Sequence, residues 1–400
     1  MSERIPPKID DQLLSILTQT WPKFSPMEMS RRRSLVESAM FENDLEHLLI
    51  YGAGGFGTAV PWLTEWPVTT EVICIVTPHE KDALYIQYYN HTPLAEKLAD
   101  SAEVHWGGSS TIQSAISELR HRNGLGTRIG IIGPLPFKAS EILKDVSGEL
   151  VDMNGDYINM RLVKSEEELD WFRIGAALSD LSIDALEREL RPGLTEHEVA
   201  DLIERAYVPW GGRTGIHFIG STPMNNPFLQ VPAQFTSSRT VQSGDILVAE
   251  ISASFREYSG QVLRSFAVDS EPTPLYWKLH SVAEAAFNEI LKAIRPGASA
   301  SDLVQAGKVI ENSGFTICDD MIHGYGGGYL PPVLGLPSRR KEAIPDLSLE
   351  VGMMLVIQPN VITPDKKSGV QTGECVVVTK NGCESLHNAK RGFLFTGRKS

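Results

Sequence analysis

The carboxy-terminal part of this sequence contains an internal repeat, which restricts the fold more than any other feature. Arg-Pro-Gly ends a predicted helix at residues 191–193 and again at residues 295–297, an offset of 104 residues. Further along, GDILVAEISASF and GMMLVIQPNVIT each read as a strand that begins at a glycine, Gly244 or Gly352, an offset of 108 residues. Repeated helix and strand units predict a pseudo-twofold domain, whose strands form one curved antiparallel sheet backed by helices. A pocket between the related halves is the expected place for chemistry.

The first part of the chain has a different pattern. From about residue 45, apolar strand-like runs such as LEHLLIYG and EVICIVTP alternate with helical stretches such as TIQSAISELRHRNG, which is typical of a small α/β domain. At Ser165 and Glu168 a capping box then opens a long amphipathic helix. We therefore predict two domains, an amino-terminal α/β domain at residues 1–160 and a catalytic domain at residues 161–400.

Three glycines in the first domain, Gly52, Gly54 and Gly57, match the GxGxxG pattern of dinucleotide sites. Such a site needs a helix directly after the glycines, and here Pro61 and the strand-like TAVPWLTEWPVT follow instead. We predict a glycine-rich turn between two strands and no bound cofactor.

The charge of the chain limits its partners. Its 37 basic and 50 acidic side chains give a net charge of −13 at pH 7, and an acidic surface repels phosphate backbones and anionic lipid. The amino-terminal MSERIPPKIDDQ lacks the apolar stretch of a signal peptide, and the 4 cysteines form no CxxC pair, which suits a reducing compartment. We expect a cytoplasmic protein with a small-molecule substrate and with neither a nucleic-acid nor a membrane partner.

Polar residues interrupt several apolar runs of the second domain. Glu250 lies in ILVAEISA, Gln261 in YSGQVLRSFAV and Gln358 in MLVIQPN, and His323 precedes the run GYGGGY. A carboxylate inside an apolar strand is costly unless it is paired, hydrogen-bonded or bound to something. We therefore predict a functional role for Glu250, with a buried structural ion pair as the alternative.

With these residues, and with RLVKSEEELDWFR and GVQTGECVVVTKNG, the chain resembles the creatinase/aminopeptidase P family of pita-bread proteins. The resemblance implies an α+β fold, in which a pita-bread carboxy-terminal domain follows a smaller, creatinase-like α/β domain. It also implies a homodimer in which the amino-terminal domain of one subunit leans over the pocket of the other. Trp62 and Trp66 would then form an aromatic lid, and core packing is the alternative for both tryptophans.

Metal-dependent members of that family hold two divalent ions with two aspartates, one histidine and two glutamates. The two aspartate positions match Glu250 and Gln261, and the histidine position matches His323. The first glutamate position matches Gln358, and the second matches Gly373 or, with a shift of one residue, Glu374. This set supplies at most two carboxylates, so two cations would repel each other without compensation. We predict no metal, and the alternative is one weakly held ion on Glu250, His323 and Glu374.

The same residues suggest catalytic and binding roles. His323 with Glu250 or Glu374 would form a catalytic base and its orienting partner. The loop that carries the proton-shuttling histidine in creatinase matches VPAQFTSSRT, which has no histidine. His217 is therefore the nearest candidate, and a hydrogen-bonded histidine near the core is the alternative. The predicted substrate-binding residues are Gln261, Gln358, His217, Tyr258, Tyr325, Tyr329 and Trp62.

Creatinase is the nearest functional precedent that the resemblance offers. We predict a metal-independent hydrolase of a C–N bond, in an amide, amidine or ring amide of a small polar molecule, with His323 and Glu250 as its acid–base centre. One alternative is a lyase or isomerase that uses the same base. A further alternative is a metallopeptidase of the Xaa-Pro type or a catalytically inactive homologue.

Overall fold

The computed structural model describes residues 5–55, 57–339 and 343–396, which form two compact units. The amino-terminal unit runs from Gln19 to Arg161. The carboxy-terminal unit joins the chain from Leu162 onward to the segment that ends at Thr18, which contains the first helix, α1 (Asp11–Leu17). The division into separate domains at residue 160 stays a prediction. None of the helices described is long and apolar enough to cross a membrane.

The amino-terminal unit is an α/β unit around one mixed sheet. Its elements are α2 (Pro26–Glu42), β1 (His47–Gly52), α3 (Ala59–Thr64), β2 (Val72–Val76), β3 (Asp82–Ile86), α4 (Thr92–Leu98), β4 (Ala102–Trp106), α5 (Thr111–His121), β5 (Arg128–Ile132), α6 (Phe137–Lys144), β6 (Glu149–Asp152) and α7 (Asn154–Met160). The strand order is β4-β3-β2-β1-β5-β6, and β1, β2 and β3 are buried along their whole length. Burial on both faces explains why these strands read as continuous apolar runs.

The segment after the glycines differs from its prediction. Ala59–Thr64 is a short helix, α3, where the sequence suggested a strand. Pro61 is its third residue, and proline is tolerated in a first helical turn because the amides there have no helical acceptor. The strand prediction was wrong because it treated Pro61 as a helix breaker irrespective of its position.

The carboxy-terminal unit contains the repeat. After α1 its elements are α8 (Glu166–Glu189), α9 (Glu196–Tyr207), β7 (Arg213–Pro223), β8 (Asp245–Phe255), β9 (Tyr258–Val268), α10 (Pro274–Ala293), α11 (Ala300–Ala306), α12 (Val309–Asn312), β10 (Thr316–Ile317), β11 (Ile322–Tyr325), β12 (Tyr329–Leu334), β13 (Met354–Ile357), β14 (Val361–Ile362), β15 (Gly373–Thr379), β16 (Gly382–Ser385) and β17 (Leu394–Thr396). The main sheet has the order β12-β11-β13-β15-β9-β8-β7, and all of these neighbours are antiparallel. β16 pairs with β15, and β17 pairs with β9 in parallel.

The repeat predicted from the sequence is visible in the backbone hydrogen bonds. Gly193 donates its N–H to the carbonyl of Val241 at 2.9 Å, and Gly297 donates its N–H to the carbonyl of Leu349 at 2.8 Å. The donors are 104 residues apart and the acceptors 108 residues apart, as in the sequence pattern. Helices α9 and α11 both begin at capping boxes. The same offset makes β8 and β13 equivalent strands, which flank the central pair β9 and β15 in the main sheet.

Helix α8 fixes the position of β8 and β9, the two strands that carry Glu250 and Gln261. The hydroxyl of Ser179 on α8 donates to the carbonyl of Gly260 at 2.6 Å and accepts the N–H of Ala253 at 2.8 Å. A Cβ atom added to Gly260 would lie 2.2 Å from the Cα of Ala176, so this approach of helix to strand requires glycine.

Candidate active site

Three of the predicted site residues meet on one face of the sheet. In the β8–β9 register Ser252 lies opposite Gln261, so Gln261 and Glu250 are on the same face, because side chains alternate along a strand. The amide nitrogen of Gln261 donates to Glu250 Oε1 at 3.0 Å and to Gln358 Oε1 at 3.0 Å. The structure therefore brings Glu250, Gln261 and Gln358 together, as the sequence predicted.

His323 lies on β11 and is fully buried. Its Nδ1 is 2.9 Å from the carbonyl oxygen of Gly324, which can only accept, so the proton is on Nδ1 and Nε2 is an acceptor. The ring of Tyr329 stacks on the imidazole, with ring centroids 3.8 Å apart. Burial lowers the pKa of His323 to about 4, so the imidazole is neutral at pH 7. The structure shows no hydrogen bond from His323 to Glu250 or to Glu374, the predicted orienting partners.

Two aspartates that sequence reasoning missed belong to this site. Asp319 and Asp320 lie in the loop just before β11. Asp320 accepts hydrogen bonds from the hydroxyl of Tyr329 at 3.0 Å and from the amide of Gln358 at 3.1 Å, and Asp319 accepts one from the amide of Asn360 at 3.4 Å. The sequence does show two consecutive acidic residues shortly before the strand that carries His323. Such a pair is equally typical of a solvated turn.

The three carboxylates influence one another electrostatically. The pKa of Glu250 is raised to about 7: burial and the charges of Asp319 and Asp320 raise it, and a hydrogen bond from Gln371 opposes them. Burial also raises the pKa values of Asp319 and Asp320 to about 6. Glu250 is partly buried and Asp319 is solvent-exposed, so the group is in contact with solvent. Carboxyl groups with pKa values near neutrality can both take up and release protons at pH 7.

Glu374, the other predicted catalytic carboxylate, is on the opposite face of the sheet. It lies opposite Val262, the neighbour of Gln261, so its side chain points away from Gln261. There it forms a buried ion pair with Arg264 at 2.6 Å and accepts a hydrogen bond from Ser385 at 2.7 Å. The one-residue shift that made Glu374 a candidate reverses the face of the strand, which is why that prediction does not match the structure.

His217 and Tyr258 also lie outside the cluster. His217 pairs with Ile251, so it is on the face opposite to Glu250, and its Nε2 bonds the hydroxyl of Tyr207 at 2.7 Å. Burial lowers the pKa of His217. Tyr258 packs edge-on against Phe172 of α8, with ring centroids 4.8 Å apart. His217 is half-buried and therefore matches its alternative, a hydrogen-bonded histidine near the core, and Tyr258 is a packing residue.

The remaining predicted aromatic residues divide between site and core. The hydroxyl of Tyr325 bonds that of Ser259 at 2.6 Å, two residues from Gln261, and Tyr329 stacks on His323, so both tyrosines line the site. Trp62 and Trp66 are 5% and 2% exposed in the hydrophobic core of the amino-terminal unit. The predicted substrate contact of Trp62 and the aromatic lid are not supported, and core packing is the correct interpretation.

The residues at the positions that the family resemblance assigns to two metal ions do not fit such ions. The amide of Gln261 directs its N–H groups toward Glu250 and Gln358, where a ligand would present an oxygen. A Cβ atom at Gly373 would lie 2.3 Å from the carbonyl oxygen of Ile357, so no larger residue fits there. Within residues 5–55, 57–339 and 343–396, no three His, Cys, Asp or Glu side chains are arranged to hold a metal ion.

The chain is similar to several dipeptidases. It is 24% identical to a Xaa-Pro dipeptidase of Pyrococcus furiosus over 269 residues, which are 66% of this chain and 75% of that protein. It is 28% identical to a probable dipeptidase PepE of Mycobacterium tuberculosis over 272 residues, 66% of this chain and 64% of that protein.

Solved structures of two such proteins have the same fold. Prolidase from Pyrococcus furiosus superposes with a TM-score of 0.74 at 21% identity, over 88% of this chain and 99% of that one. Dipeptidase PepE from Mycobacterium ulcerans superposes with a TM-score of 0.77 at 22% identity, over 94% of this chain and 100% of that one. These similarities confirm the predicted α+β pita-bread fold.

The relatives contradict the predicted reaction. They are named for the hydrolysis of dipeptides, whereas we predicted a metal-independent hydrolase of a C–N bond in a small non-peptide molecule. That prediction was wrong because it took creatinase as the nearest precedent, and the peptidase alternative agrees better with the relatives. The broader prediction of an enzyme of the hydrolase class is confirmed.

The sequence pattern of the family described as metallopeptidase family M24 matches residues 170–380, more than half of the chain. This range includes β8, β9, β11, β13 and the loop with Asp319 and Asp320, so it contains the whole cluster. The chain belongs to metallopeptidase family M24.

Proposed function

We propose that this protein hydrolyses the peptide bond of dipeptides or other short peptides. The observation that carries the proposal is the carboxyl group of Glu250, which has a pKa of about 7 and lies beside two further carboxylates on the sheet face that Gln261 and Gln358 share. Hydrolysis of an amide needs a group that accepts a proton from water and a group that gives one to the leaving amine. A cluster that titrates close to neutral pH can supply both.

The three carboxylates would share protons as one titrating unit. Their pKa values of about 6 and 7 belong to the cluster, so near neutral pH some of its members are ionised while Glu250 is partly protonated. An ionised carboxylate takes a proton from the attacking water, and a protonated one donates to the leaving nitrogen. Because Asp320 is held by Gln358 and the hydroxyl of Tyr329, its orientation is fixed before substrate binds.

A direct test compares hydrolysis of L-alanyl-L-proline, glycyl-L-proline and L-leucylglycine by the release of free amino acids. Assays run with protein as purified and with added Mn²⁺, since the family is named for metallopeptidases. We expect turnover of at least one dipeptide, and a loss of about 100-fold or more in Glu250→Gln, because general acid–base catalysis contributes factors of that order. Glu257→Gln, an exposed glutamate at the β8–β9 turn, is the matched control. Full activity of Glu250→Gln, or no turnover in either condition, would reject the proposal.

The poor fit to a metal pair favours one second candidate, a peptide-binding protein without catalysis. Gln261, Gln358 and Gly373 stand where the resemblance assigns carboxylates, and the last position admits no larger residue. This candidate predicts no release of amino acids in the same assay, together with dipeptide binding that is measured separately by ligand-dependent thermal shifts.

We also propose that the protein is a cytoplasmic homodimer without nucleic-acid or membrane partners, with a small peptide as the small-molecule substrate. The free state of Cys74, Cys318, Cys375 and Cys383 supports a reducing compartment, and the acidic charge supports the absence of polyanionic partners. Light scattering on the purified chain tests the dimer: we expect twice the chain mass of 44.1 kDa, and a monomer would contradict it.

A further inference from the structure

A surface cavity of about 330 Å³ lies entirely within the amino-terminal unit and shares no residue with the carboxylate cluster. β3 and β4 are neighbouring parallel strands, so their carboxyl ends lie at the same edge of the sheet. The cavity is lined by residues 87–90, which follow β3, by Trp106 at the end of β4, and by residues 108–111, which follow β4. Glu71, directly before the antiparallel strand β2, completes it.

The helices that follow these two strands cover opposite faces of the sheet. Leu98 of α4 belongs to the same core cluster as Ile50, whereas Ile116 of α5 belongs to the same core cluster as Leu49. Leu49 and Ile50 are consecutive residues of β1, so their side chains point to opposite faces. The chain therefore changes face between β3 and β4, and open α/β sheets bind their ligands in the crevice outside such a point.

The loop between β4 and α5 presents hydrogen-bond donors toward this crevice. Helix α5 has 11 residues, and its N-cap Ser110 makes no side-chain hydrogen bond to the first turn. The loop carbonyls are in use, since that of Gly107 accepts the Ser114 hydroxyl at 2.9 Å and that of Ser110 accepts the Ser114 N–H at 3.1 Å. Thr111 lines the cavity and is 1% exposed, and its hydroxyl has no hydrogen-bond partner in the part of the chain that the structure describes. Donors without acceptors at the positive end of a helix favour an anion.

Three large aromatic side chains beside this loop are exposed. Trp106 is 54% and Tyr89 70% exposed, and their rings meet edge-on with centroids 5.8 Å apart. Tyr88 is also exposed. The indole N–H of Trp106 donates to the carbonyl of Gln87 at 3.1 Å, which holds the ring in place. A cluster of exposed aromatic rings marks a binding surface, and a ring held in this way offers a platform on which a planar group can stack.

We propose that this cavity binds a nucleoside monophosphate, with the base stacked on Trp106 and Tyr89 and the phosphate at the start of α5. Among the described residues that line the cavity there is no lysine or arginine, and Glu71 adds a negative charge, so a chain of several phosphates would be repelled. The hydroxyl of Tyr51 holds the Glu71 carboxylate at 3.1 Å, and this carboxylate can accept hydrogen bonds from ribose hydroxyls. A volume of about 330 Å³ is small for a ligand site and suits a mononucleotide better than a dinucleotide. The inference goes beyond the proposed function and does not depend on it.

The test measures binding to the full chain by isothermal titration calorimetry, without any peptide present. Adenosine monophosphate, adenosine and inorganic phosphate separate the contributions of the base and the phosphate. We expect the wild type to bind the monophosphate about tenfold more tightly than adenosine, because hydrogen bonds to a charged group contribute a factor of that order. Trp106→Ala should weaken the binding of both the monophosphate and adenosine by about tenfold or more, because it removes a stacking surface. Thr111→Val should weaken only the binding of the monophosphate, by about tenfold.

Two matched variants serve as controls. Trp21→Ala removes an exposed tryptophan of the same unit that does not line the cavity. Thr396→Val removes a buried threonine hydroxyl of the other unit that likewise has no partner among the described residues. Both should bind the monophosphate as the wild type does. Trp106→Phe keeps a ring and should lose less affinity than Trp106→Ala.

The outcomes separate this inference from the proposed function. Absence of monophosphate binding to the wild type overturns the inference, and so does equal affinity for the monophosphate and adenosine, or for the monophosphate and phosphate alone. Unchanged binding in Trp106→Ala and Thr111→Val shows that the nucleotide binds elsewhere, which also overturns it. Nucleotide binding without peptide hydrolysis supports this inference and rejects only the proposed function, whereas hydrolysis without nucleotide binding does the reverse.

Discussion

Glu250→Gln should make the folded protein more stable at alkaline pH, although it removes a group that we place at the centre of the reaction. The folded state raises the pKa of Glu250 from the ordinary 4.5 to about 7, so the folded protein binds this proton more tightly than the unfolded chain. Stability therefore falls as pH rises from 4.5 to 7, and the full cost is present above pH 7. One pKa unit corresponds to about 1.4 kcal/mol, which sets an upper limit of about 3 kcal/mol for that cost.

The measured effect will be below this limit because the carboxyl group is partly exposed and its neighbours adjust their own protonation. We expect Glu250→Gln to gain about 1–2 kcal/mol at pH 8, equivalent to about 2–8 °C in Tm for a unit of this size. At pH 4.5 the gain should almost vanish, since the wild-type carboxyl group is then protonated in the folded state. The assay is thermal unfolding of both proteins after dialysis against a chelator, with Glu257→Gln as control. A lower Tm for Glu250→Gln at pH 8, or an equal shift at both pH values, would refute the reasoning.

Three further predictions concern stability. Arg264→Met leaves the Glu374 carboxylate buried without its partner. We expect the free energy of unfolding, measured in urea, to fall by about 3–5 kcal/mol, and a loss below about 1 kcal/mol would show that the ion pair is not important for stability. Burial alone would lower the pKa of His387, but the Asp180 carboxylate at 2.7 Å raises it to about 10. This pair should stabilise the fold fully below about pH 6.5 and progressively less up to about pH 10. His387→Gln should therefore flatten the profile of Tm against pH over that range. Parallel profiles of the wild type and the variant would contradict this prediction. Gly373→Ala places a methyl group 2.3 Å from a carbonyl oxygen and should lower Tm, while an unchanged Tm would show that the strands separate easily.

The centre of the site could be predicted because its residues interrupt a regular pattern. Glu250 and Gln358 occupy equivalent places in two repeated strands, and a polar residue within an apolar strand is visible without coordinates. The register then brings Gln261 to the same face. The repeat that defines the pita-bread sheet was accessible for the same reason, since its offsets recur in both helices and strands.

The errors have a different physical origin. Glu374 and His217 lie on strands of this sheet, but their faces depend on single-residue register. The sequence does not specify that register for β15, which is buried on both faces. Asp319 and Asp320 join the site through a loop, where no periodicity shows which way a side chain points. The sequence around Trp62 does not show whether the side chain is buried or exposed, because a core tryptophan and a lid tryptophan look alike in sequence.

The close contact at Gly373 also restricts how the protein could change during evolution. If an ancestor carried a carboxylate here, its replacement by glycine allowed the backbone of β15 to approach the carbonyl of Ile357. A single reverse substitution now meets that carbonyl at 2.3 Å, so it is blocked until another change first moves the strands apart. Restoring a larger side chain at this position would therefore require two substitutions, one that separates the strands and one at Gly373 itself.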